Sequence, residues 1–278
     1  MYKRQIHNPS TYRTQIFKVN SSGTLQWQRE LTFGSGIILY SVSIDTSGNV
    51  YSAGEYGANS AIVKYNSSGT LQWQKEISGS SCLVFKTACS SSSAYAVGWA
   101  TVSGTVAGLI CKFDSSGNTV WTRTLNGTGD QYGYSIALDP SENVYVSGDN
   151  GNNGIFIAKY NSSGTIQWQR SISASSGSIS VSSNGLFATD NTIYVGMSTT
   201  APGIRRLLTA VIPTDGSKTG TYSVGGSSFT YATSSLTDAA ITLTNASGAA
   251  TSSTSSYTDG SVNYAIGNTS YTSNTTIL

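Results

Sequence analysis

The sequence predicts an all-β fold built from a repeated four-stranded unit. Four tryptophans, spaced by 46, 48 and 47 residues, each end a similar twelve-residue segment: Trp27, Trp73, Trp121 and Trp168. This spacing is typical of one blade of a β-propeller. Charged residues make up only 10% of the 278 residues, whereas Ser, Thr, Gly and Asn are abundant. That composition is typical of a turn-rich β protein.

The segment that ends in tryptophan predicts one hairpin. Residues 62–73 are Ile-Val-Lys-Tyr-Asn-Ser-Ser-Gly-Thr-Leu-Gln-Trp, and apolar and polar side chains alternate on both sides of the turn at 66–69. A glycine in such a turn provides the positive φ that the hairpin requires. Similar segments occupy 16–27, 110–121 and 157–168, and the four turn glycines are Gly23, Gly69, Gly117 and Gly164.

A second repeated segment predicts the other hairpin of each unit. Residues 44–54 are Ile-Asp-Thr-Ser-Gly-Asn-Val-Tyr-Ser-Ala-Gly, residues 138–148 are closely similar, and 88–98 form a degenerate copy. An Asp that begins a turn can accept hydrogen bonds from the backbone amides of that turn. We therefore assign Asp45, Asp139 and, in the tryptophan hairpin, Asp114 to turn capping, with Gly48 providing positive φ.

Two hairpins per period form a four-stranded antiparallel meander, which is one propeller blade. The expected blades cover 40–77, 84–125 and 134–172, with a degenerate fourth blade from 179 to about 224. Half a blade, at about 16–31, precedes them. The fourth blade has Ile-Pro-Thr-Asp-Gly at 212–216 in place of the usual turn and lacks the tryptophan. The chain is thus expected to hold about four and a half blades.

The recurring aromatic residues are expected to form the core between blades. A buried tryptophan removes roughly 150–250 Å² from water. A thin blade can use that area against its neighbour. The tyrosines on the second strand of each blade are expected to pack in the same way: Tyr51, Tyr95, Tyr145 and Tyr194.

The pattern Lys-Tyr-Asn-Ser-Ser-Gly-Thr-Leu-Gln-Trp with Asp-x-Ser-Gly-Asn-Val-Tyr-x-x-Gly resembles the bacterial seven-bladed β-propeller repeat family. More loosely it is similar to pyrroloquinoline-quinone-like and WD-like propeller repeats. The resemblance covers residues 16 to about 224. Since the family name implies seven blades, we expect further blades upstream, and the alternative is a smaller or open propeller. With its hydroxyl-rich C-terminal part, the chain also resembles tail or virion-surface proteins of marine phages.

The two ends of the chain differ from the repeat region. Residues 1–5, Met-Tyr-Lys-Arg-Gln, match the translated end of a sequencing-library adapter, so we expect the native N-terminus to be missing. The repeat domain is assigned to 6–224 and a Ser/Thr/Gly-rich extension to 225–278. Alternation with period two at 240–245 and 261–266 predicts short strands, although the composition also fits disorder.

The sequence predicts no catalytic, cofactor or metal site. His7 is the only histidine, and the three cysteines form no C-x-x-C pair. The turns at 45–49 and 114–118 offer oxygen ligands, but each has only one carboxylate, whereas a strong calcium site uses several. A quinone cofactor would need an acid, an amide and stacking aromatics together, and no such cluster stands out.

The expected function is that of a non-catalytic structural or adhesive module. It would belong to a phage tail, a virion surface or a bacterial extracellular protein. Its expected partner is a host-surface glycan or protein, contacted by the loops 55–59, 100–106 and 149–153, and other tail or surface subunits are possible partners. The net charge of +2 gives no reason to expect nucleic acid, and no apolar run approaches the ~20 residues of a membrane span. The alternative is an enzyme on the same scaffold, quinoprotein-type or glycan-active, with its site outside this chain.

Overall fold

The computed structural model describes residues 3–8, 11–32, 37–79, 81–201, 204–224, 226–247 and 251–254. Every regular element in these ranges is a β-strand, and the strands form five antiparallel sheets. The all-β propeller fold predicted from the sequence is therefore confirmed. None of the described residues belongs to a helix that could cross a membrane.

The strands follow the predicted meanders, and we number the sheets as blades 1–5 along the chain. Blade 1 contains β1 (Lys3–Asn8), β2 (Thr11–Val19) and β3 (Leu25–Thr32). Blade 2 contains β4 (Ile37–Ile44), β5 (Val50–Tyr56), β6 (Asn59–Tyr65) and β7 (Leu71–Ser78). Blade 3 contains β8 (Cys82–Cys89), β9 (Ser93–Val102), β10 (Thr105–Asp114) and β11 (Thr119–Asn126). Blade 4 contains β12 (Tyr132–Leu138), β13 (Val144–Asp149), β14 (Gly154–Tyr160) and β15 (Ile166–Ala174). Blade 5 contains β16 (Ser178–Ala188), β17 (Thr192–Ala201) and β18 (Ile204–Pro213).

The two end blades differ from their predicted bounds. Blade 1 has a third strand, β1, which begins at Lys3, within the five residues attributed to an adapter, and pairs with β2. Blade 5 ends at Pro213 rather than near 224. The residues after its last turn, Ser-Lys-Thr-Gly at 217–220, lack the apolar and tryptophan positions of an outer strand. The chain therefore leaves blade 5 instead of folding back onto β18.

The C-terminal part runs back over the blades that precede it. β19 (Gly220–Val224) and β20 (Ser227–Thr233) form a hairpin, so the domain boundary predicted at 224/225 falls in its turn. β20, β21 (Thr237–Ala240), β22 (Thr244–Ser247) and β23 (Thr251–Thr254) pair antiparallel with β15, β11, β7 and β3, respectively. We call residues 227–254 the strap, because it visits the outer strands in reverse order.

The strap also corrects the strands predicted for the extension. The predicted strand at 240–245 spans the end of β21, a link at 241–243 and the start of β22. The other predicted strand, at 261–266, lies outside the described residues. Short strands are therefore present in the extension, but in a different register from the one that alternation indicated.

The hydrophobic core lies between successive blades. One cluster joins Tyr145 and Ile155 of blade 4 to Ile193 and Val195 of blade 5. Other clusters join blades 1 and 2, blades 2 and 3, and blades 3 and 4 in the same way. The first strands of successive blades, β4, β8, β12 and β16, also contact one another in order. Each blade is thus stabilised by its neighbours, as in a propeller.

Candidate binding surface

The repeated tryptophan joins each blade to the one that follows it. Trp73 Nε1 donates a hydrogen bond of 2.9 Å to the carbonyl oxygen of Ser115, in a turn of the next blade. The ring covers Gly117, where an added Cβ would lie only 2.8 Å from the indole. The equivalent contacts are Trp27 with Ser67 and Gly69, Trp121 with Ser162 and Gly164, and Trp168 with Thr214 and Gly216. Trp27 is buried and the other three tryptophans are half-buried. The four rings therefore serve to pack one blade against the next.

Buried tyrosines form the other half of this contact. Tyr51 lies 6.1 Å from Trp73 of its own blade, centroid to centroid, and its hydroxyl donates to Asp45 Oδ2 at 3.2 Å. Lys64 Nζ lies 5.2 Å from the centroid of the same tyrosine ring. Blades 3 and 4 repeat the arrangement with Tyr95, Trp121 and Lys112, and with Tyr145, Trp168 and Lys159. These residues stabilise the blades.

The carboxylates of the turns are used within the turns. Asp45 Oδ1 accepts hydrogen bonds from the backbone amides of Ser47 and Asn49, both at 2.9 Å. Asp114 and Asp139 accept the equivalent pairs of amide bonds. The five turn glycines all have φ between 77° and 81°: Gly23, Gly48, Gly69, Gly117 and Gly164. Among the described residues, no three His, Cys, Asp or Glu side chains form a metal-binding group.

The prediction that Tyr194 lies in the core is wrong. Its side chain is 41% exposed and lies beside Phe187. In the described part of the chain blade 5 has three strands, and its sequence lacks the tryptophan that covers the equivalent ring in blades 2–4. The other three tyrosines each pack against the tryptophan of their own blade, and blade 5 lacks this residue.

A row of aromatic rings crosses the first strands of the blades, and the sequence analysis did not find it. In β4, β8 and β12 the pairing with the second strand shifts by one residue at Tyr40, Phe85 and Tyr134. The ring centroids of Tyr40 and Phe85 are 5.9 Å apart, and those of Phe85 and Tyr134 are 5.3 Å apart. Tyr132 and Trp99 extend the row, with centroid separations of 6.1 and 6.2 Å. We call these five residues the aromatic row.

A sequence signal for this row existed. Tyr40, Phe85 and Tyr134 each stand five residues before the first residue of the following turn, at positions 45, 90 and 139. The bulge at each position takes the side chain out of the regular alternation of its strand, because an extra residue disrupts the local pleat. Period-two analysis therefore could not place these rings, whereas a fixed offset from the turn could have.

Polar groups flank the aromatic row. The Tyr40 side chain is 43% exposed, and its hydroxyl donates to Glu55 Oε2 at 2.7 Å. Burial together with this carboxylate raises the pKa of Tyr40 to about 12. Burial likewise raises the pKa of Tyr134 to about 12, with Asp149 adding to the effect. Burial lowers the pKa of Lys86, the residue next to Phe85.

The row ends at a polar cavity of about 380 Å³ between blades 4 and 5. Tyr132 belongs to both, and Asp130, Asp149, Ser178 and Ser180 complete the polar part of the wall. Ser180 Oγ donates to Asp149 at 3.3 Å. Burial raises the pKa of Asp149, and hydrogen bonds from Val181 and Ser180 partly oppose that shift.

A second groove, of about 550 Å³, shares the loop after β13 with the first. Val102, Asn150 and Asn152 line it together with the strap residues 233–237 and 239. Two of the three predicted binding loops, 100–106 and 149–153, therefore border cavities. The third, 55–59, contributes Glu55 to the edge of the aromatic row. Together the row and the cavities offer flat apolar faces beside carboxylates, hydroxyls and amides.

Comparison with known proteins agrees with the repeat architecture. A family model of the pyrroloquinoline-quinone-like type, described as outer membrane protein assembly factor BamB, matches residues 58–276. The match covers most of the chain, including blades 3–5 and the strap. A comparison with curated proteins found no match.

Proposed function

We propose that this chain, which belongs to the pyrroloquinoline-quinone-like repeat family described as outer membrane protein assembly factor BamB, is a non-catalytic β-propeller module that binds a surface glycan. The name of the family refers to a role in assembly rather than to a reaction. An assembly factor acts by binding other molecules, so the family name supports a binding module. The propeller fold alone would not distinguish binding from catalysis.

The aromatic row carries the proposal for the ligand. Tyr40, Phe85 and Tyr134 form a continuous set of rings, each partly exposed, on three successive blades. A sugar ring has flat C–H faces that stack on aromatic rings and a rim of hydroxyls that needs hydrogen-bond partners. The carboxylates of Glu55 and Asp149 lie beside the row and offer such acceptors. A binding site of this kind is mainly apolar, with a few placed polar groups.

The cellular setting that we propose is a virion or an extracellular surface. The chain holds few charges and many hydroxyl and amide side chains, which suits an exposed β protein outside the cytosol. Other tail or surface subunits would then present several copies together. Avidity would matter there, because linked weak sites bind far more tightly than one site alone.

Binding to a glycan array and to host cells, followed by calorimetry on the best glycan, tests the proposed function. Phe85→Ala and Tyr134→Ala should each weaken the affinity about two- to tenfold, since one aromatic contact contributes roughly 0.5–1.5 kcal/mol. Tyr194→Ala is the matched control, because it removes an exposed aromatic ring far along the sequence from the row. The bound glycan should be recovered intact. The proposal would be contradicted if Phe85→Ala and Tyr134→Ala bound the glycan as tightly as Tyr194→Ala does, or if a cleaved product were released.

A further inference from the structure

The C-terminal sequence repeats with a period of seven residues. From Thr230 onwards, seven consecutive heptads fill residues 230–278. The first position is Thr in six of them, at 230, 237, 244, 251, 258 and 272. The seventh position is Leu or Tyr in six, at 236, 243, 257, 264, 271 and 278, and Ala at 250. Phe229, immediately before the first heptad, continues the apolar period upstream.

In the structure, each described heptad pairs with the outer strand of one blade. The first residue of a heptad pairs with the residue five places after the blade tryptophan in every described case. The pairs are Thr230 with Ser173, Thr237 with Asn126, Thr244 with Ser78, and Thr251 with Thr32. Four heptads therefore occupy one shared register on four different outer strands.

In the heptads at 230–236, 237–243 and 244–250, the second residue bonds to the adjacent blade. Tyr231 OH donates to the carbonyl of Gly216 in the last turn of blade 5, at 3.3 Å. Asp238 Oδ1 accepts a 2.9 Å bond from Tyr160 OH of blade 4, although the backbone of its heptad lies on blade 3. One heptad along, the Asn245 side-chain amide donates to the carbonyl of Gly117 in blade 3 at 2.8 Å. Each of these three heptads thus pairs with one blade and bonds to the neighbouring blade.

The seventh position fills the outer end of an interblade core. Leu236 is buried in the cluster shared by blades 3 and 4. Leu243 packs against the cluster shared by blades 2 and 3. Phe229 is buried in the cluster shared by blades 4 and 5. An apolar residue at this position therefore lies where the strap passes from one blade to the next.

We propose that the heptad is an interchangeable strand-addition unit whose partner is the outer strand of one blade of this repeat. The heptads at 258–264, 265–271 and 272–278 are then strand donors for three further outer strands of the same kind. Thr258 and Asp259 repeat the residues of Thr237 and Asp238 at positions one and two, and the seventh position holds Tyr264 where the earlier heptad has Leu243. Backbone pairing provides the affinity in such strand addition, and the side chains between the pairs provide the specificity.

An exchange of heptads within the full chain tests the proposal. The first variant exchanges residues 237–243, Thr-Asp-Ala-Ala-Ile-Thr-Leu, with 258–264, Thr-Asp-Gly-Ser-Val-Asn-Tyr. The matched control exchanges 237–243 with 260–266, which is two residues out of frame. Both variants keep the composition, length and net charge of the chain. The in-frame exchange should change Tm by less than about 3 °C, and the out-of-frame exchange should lower it by more than that. Equal Tm values for the two variants would overturn the proposal.

Deletion of residues 237–243 gives an independent measurement. The remaining heptads should each move by one blade, so that residues 258–261 take the place of β23 on β3. Amide hydrogen exchange should then show β3 as protected as in the parent chain. Loss of protection along β3, with the rest of blade 1 unchanged, would show that the heptad at 258–264 cannot act as a donor.

Discussion

At the scale of single residues, the turn glycine and the tryptophan that covers it fix the distance between blades. The turns at 20–23 and 66–69 have the same sequence, Asn-Ser-Ser-Gly, and their glycines have nearly the same φ, 80° and 79°. They differ in one respect. A Cβ on Gly69 would lie 2.6 Å from the Trp27 ring, whereas a Cβ on Gly23 would meet nothing within 4 Å. The pair therefore separates backbone strain from the contact between blades.

Gly69→Ala should lower the free energy of unfolding by about 2–4 kcal/mol. The positive φ costs about 1 kcal/mol for alanine, and the overlap with the indole ring adds about 1–3 kcal/mol. Gly23→Ala should cost only the first of these. Urea denaturation of the two variants measures the difference, and equal losses would show that the Trp27 contact contributes nothing.

Asp149→Asn should raise Tm at pH 7 and leave it nearly unchanged at pH 3. Burial raises the pKa of this carboxyl in the folded protein. The folded state therefore holds the proton to a higher pH than the unfolded state does, and stability falls as the pH rises through the two pKa values. An amide removes that charge while its oxygen still accepts from Ser180. Calorimetric scans from pH 3 to 8 test this, and a variant less stable than the parent at every pH would contradict it.

At the scale of elements, the irregular positions could not be predicted from alternation. The tryptophan-containing hairpins of blades 2–4 were predictable because each combines period-two alternation with a glycine turn. The bulges at Tyr40, Phe85 and Tyr134 break that alternation, so the aromatic row was missed. The strap was misplaced for a related reason. Seven is an odd period, and links at 234–236 and 241–243 interrupt the strap between its strands, so the apolar positions do not alternate along one continuous strand.

The outward face of blade 5 is the other element that the repeat alone does not explain. Phe187 and Tyr194 pair across β16 and β17, and Leu207 on β18 lies on the same face, with 86% of its side chain exposed. In blades 2–4 this face packs against the following blade. No described residue covers it here, and the outer edge of β18 has no described strand beside it. Such an edge and face favour association.

The chain should therefore associate with itself as its concentration rises. The double substitution Phe187→Ser, Leu207→Glu should reduce this association without lowering Tm, since both side chains are mostly exposed. Val120→Glu, at a 54% exposed apolar position on β11, is the control and should leave association unchanged. Light scattering over a concentration series measures the effect. A monomeric parent chain, or equal association of the parent and all variants, would contradict the proposal that the exposed face of blade 5 causes self-association.

At the scale of the whole molecule, the repeat in the sequence was sufficient to predict the architecture of blades 2–4. Three complete blades lie close to their predicted bounds, because each period contains everything a blade needs: two hairpins, a tryptophan and a turn to receive the preceding tryptophan. Blade 1 departed from prediction through the additional strand β1. Blade 5 departed where its copy of the repeat lacks the tryptophan, and no outer strand of this blade lies among the described residues. The candidate site was less predictable, since it combines residues from three blades that are adjacent only in the folded chain.

The reverse order of the strap has a mechanical consequence. A pulling force applied to the C-terminal end of the strap would first meet the few backbone pairs that hold β23 to β3, and only then those of β22, β21 and β20. Each release would free one heptad, which is at most about 24 Å of extended chain. The tryptophan contacts between blades would remain intact during these releases. Under load the molecule would therefore lengthen in short, equal steps and dissipate energy at its rim, while the blades themselves stay folded.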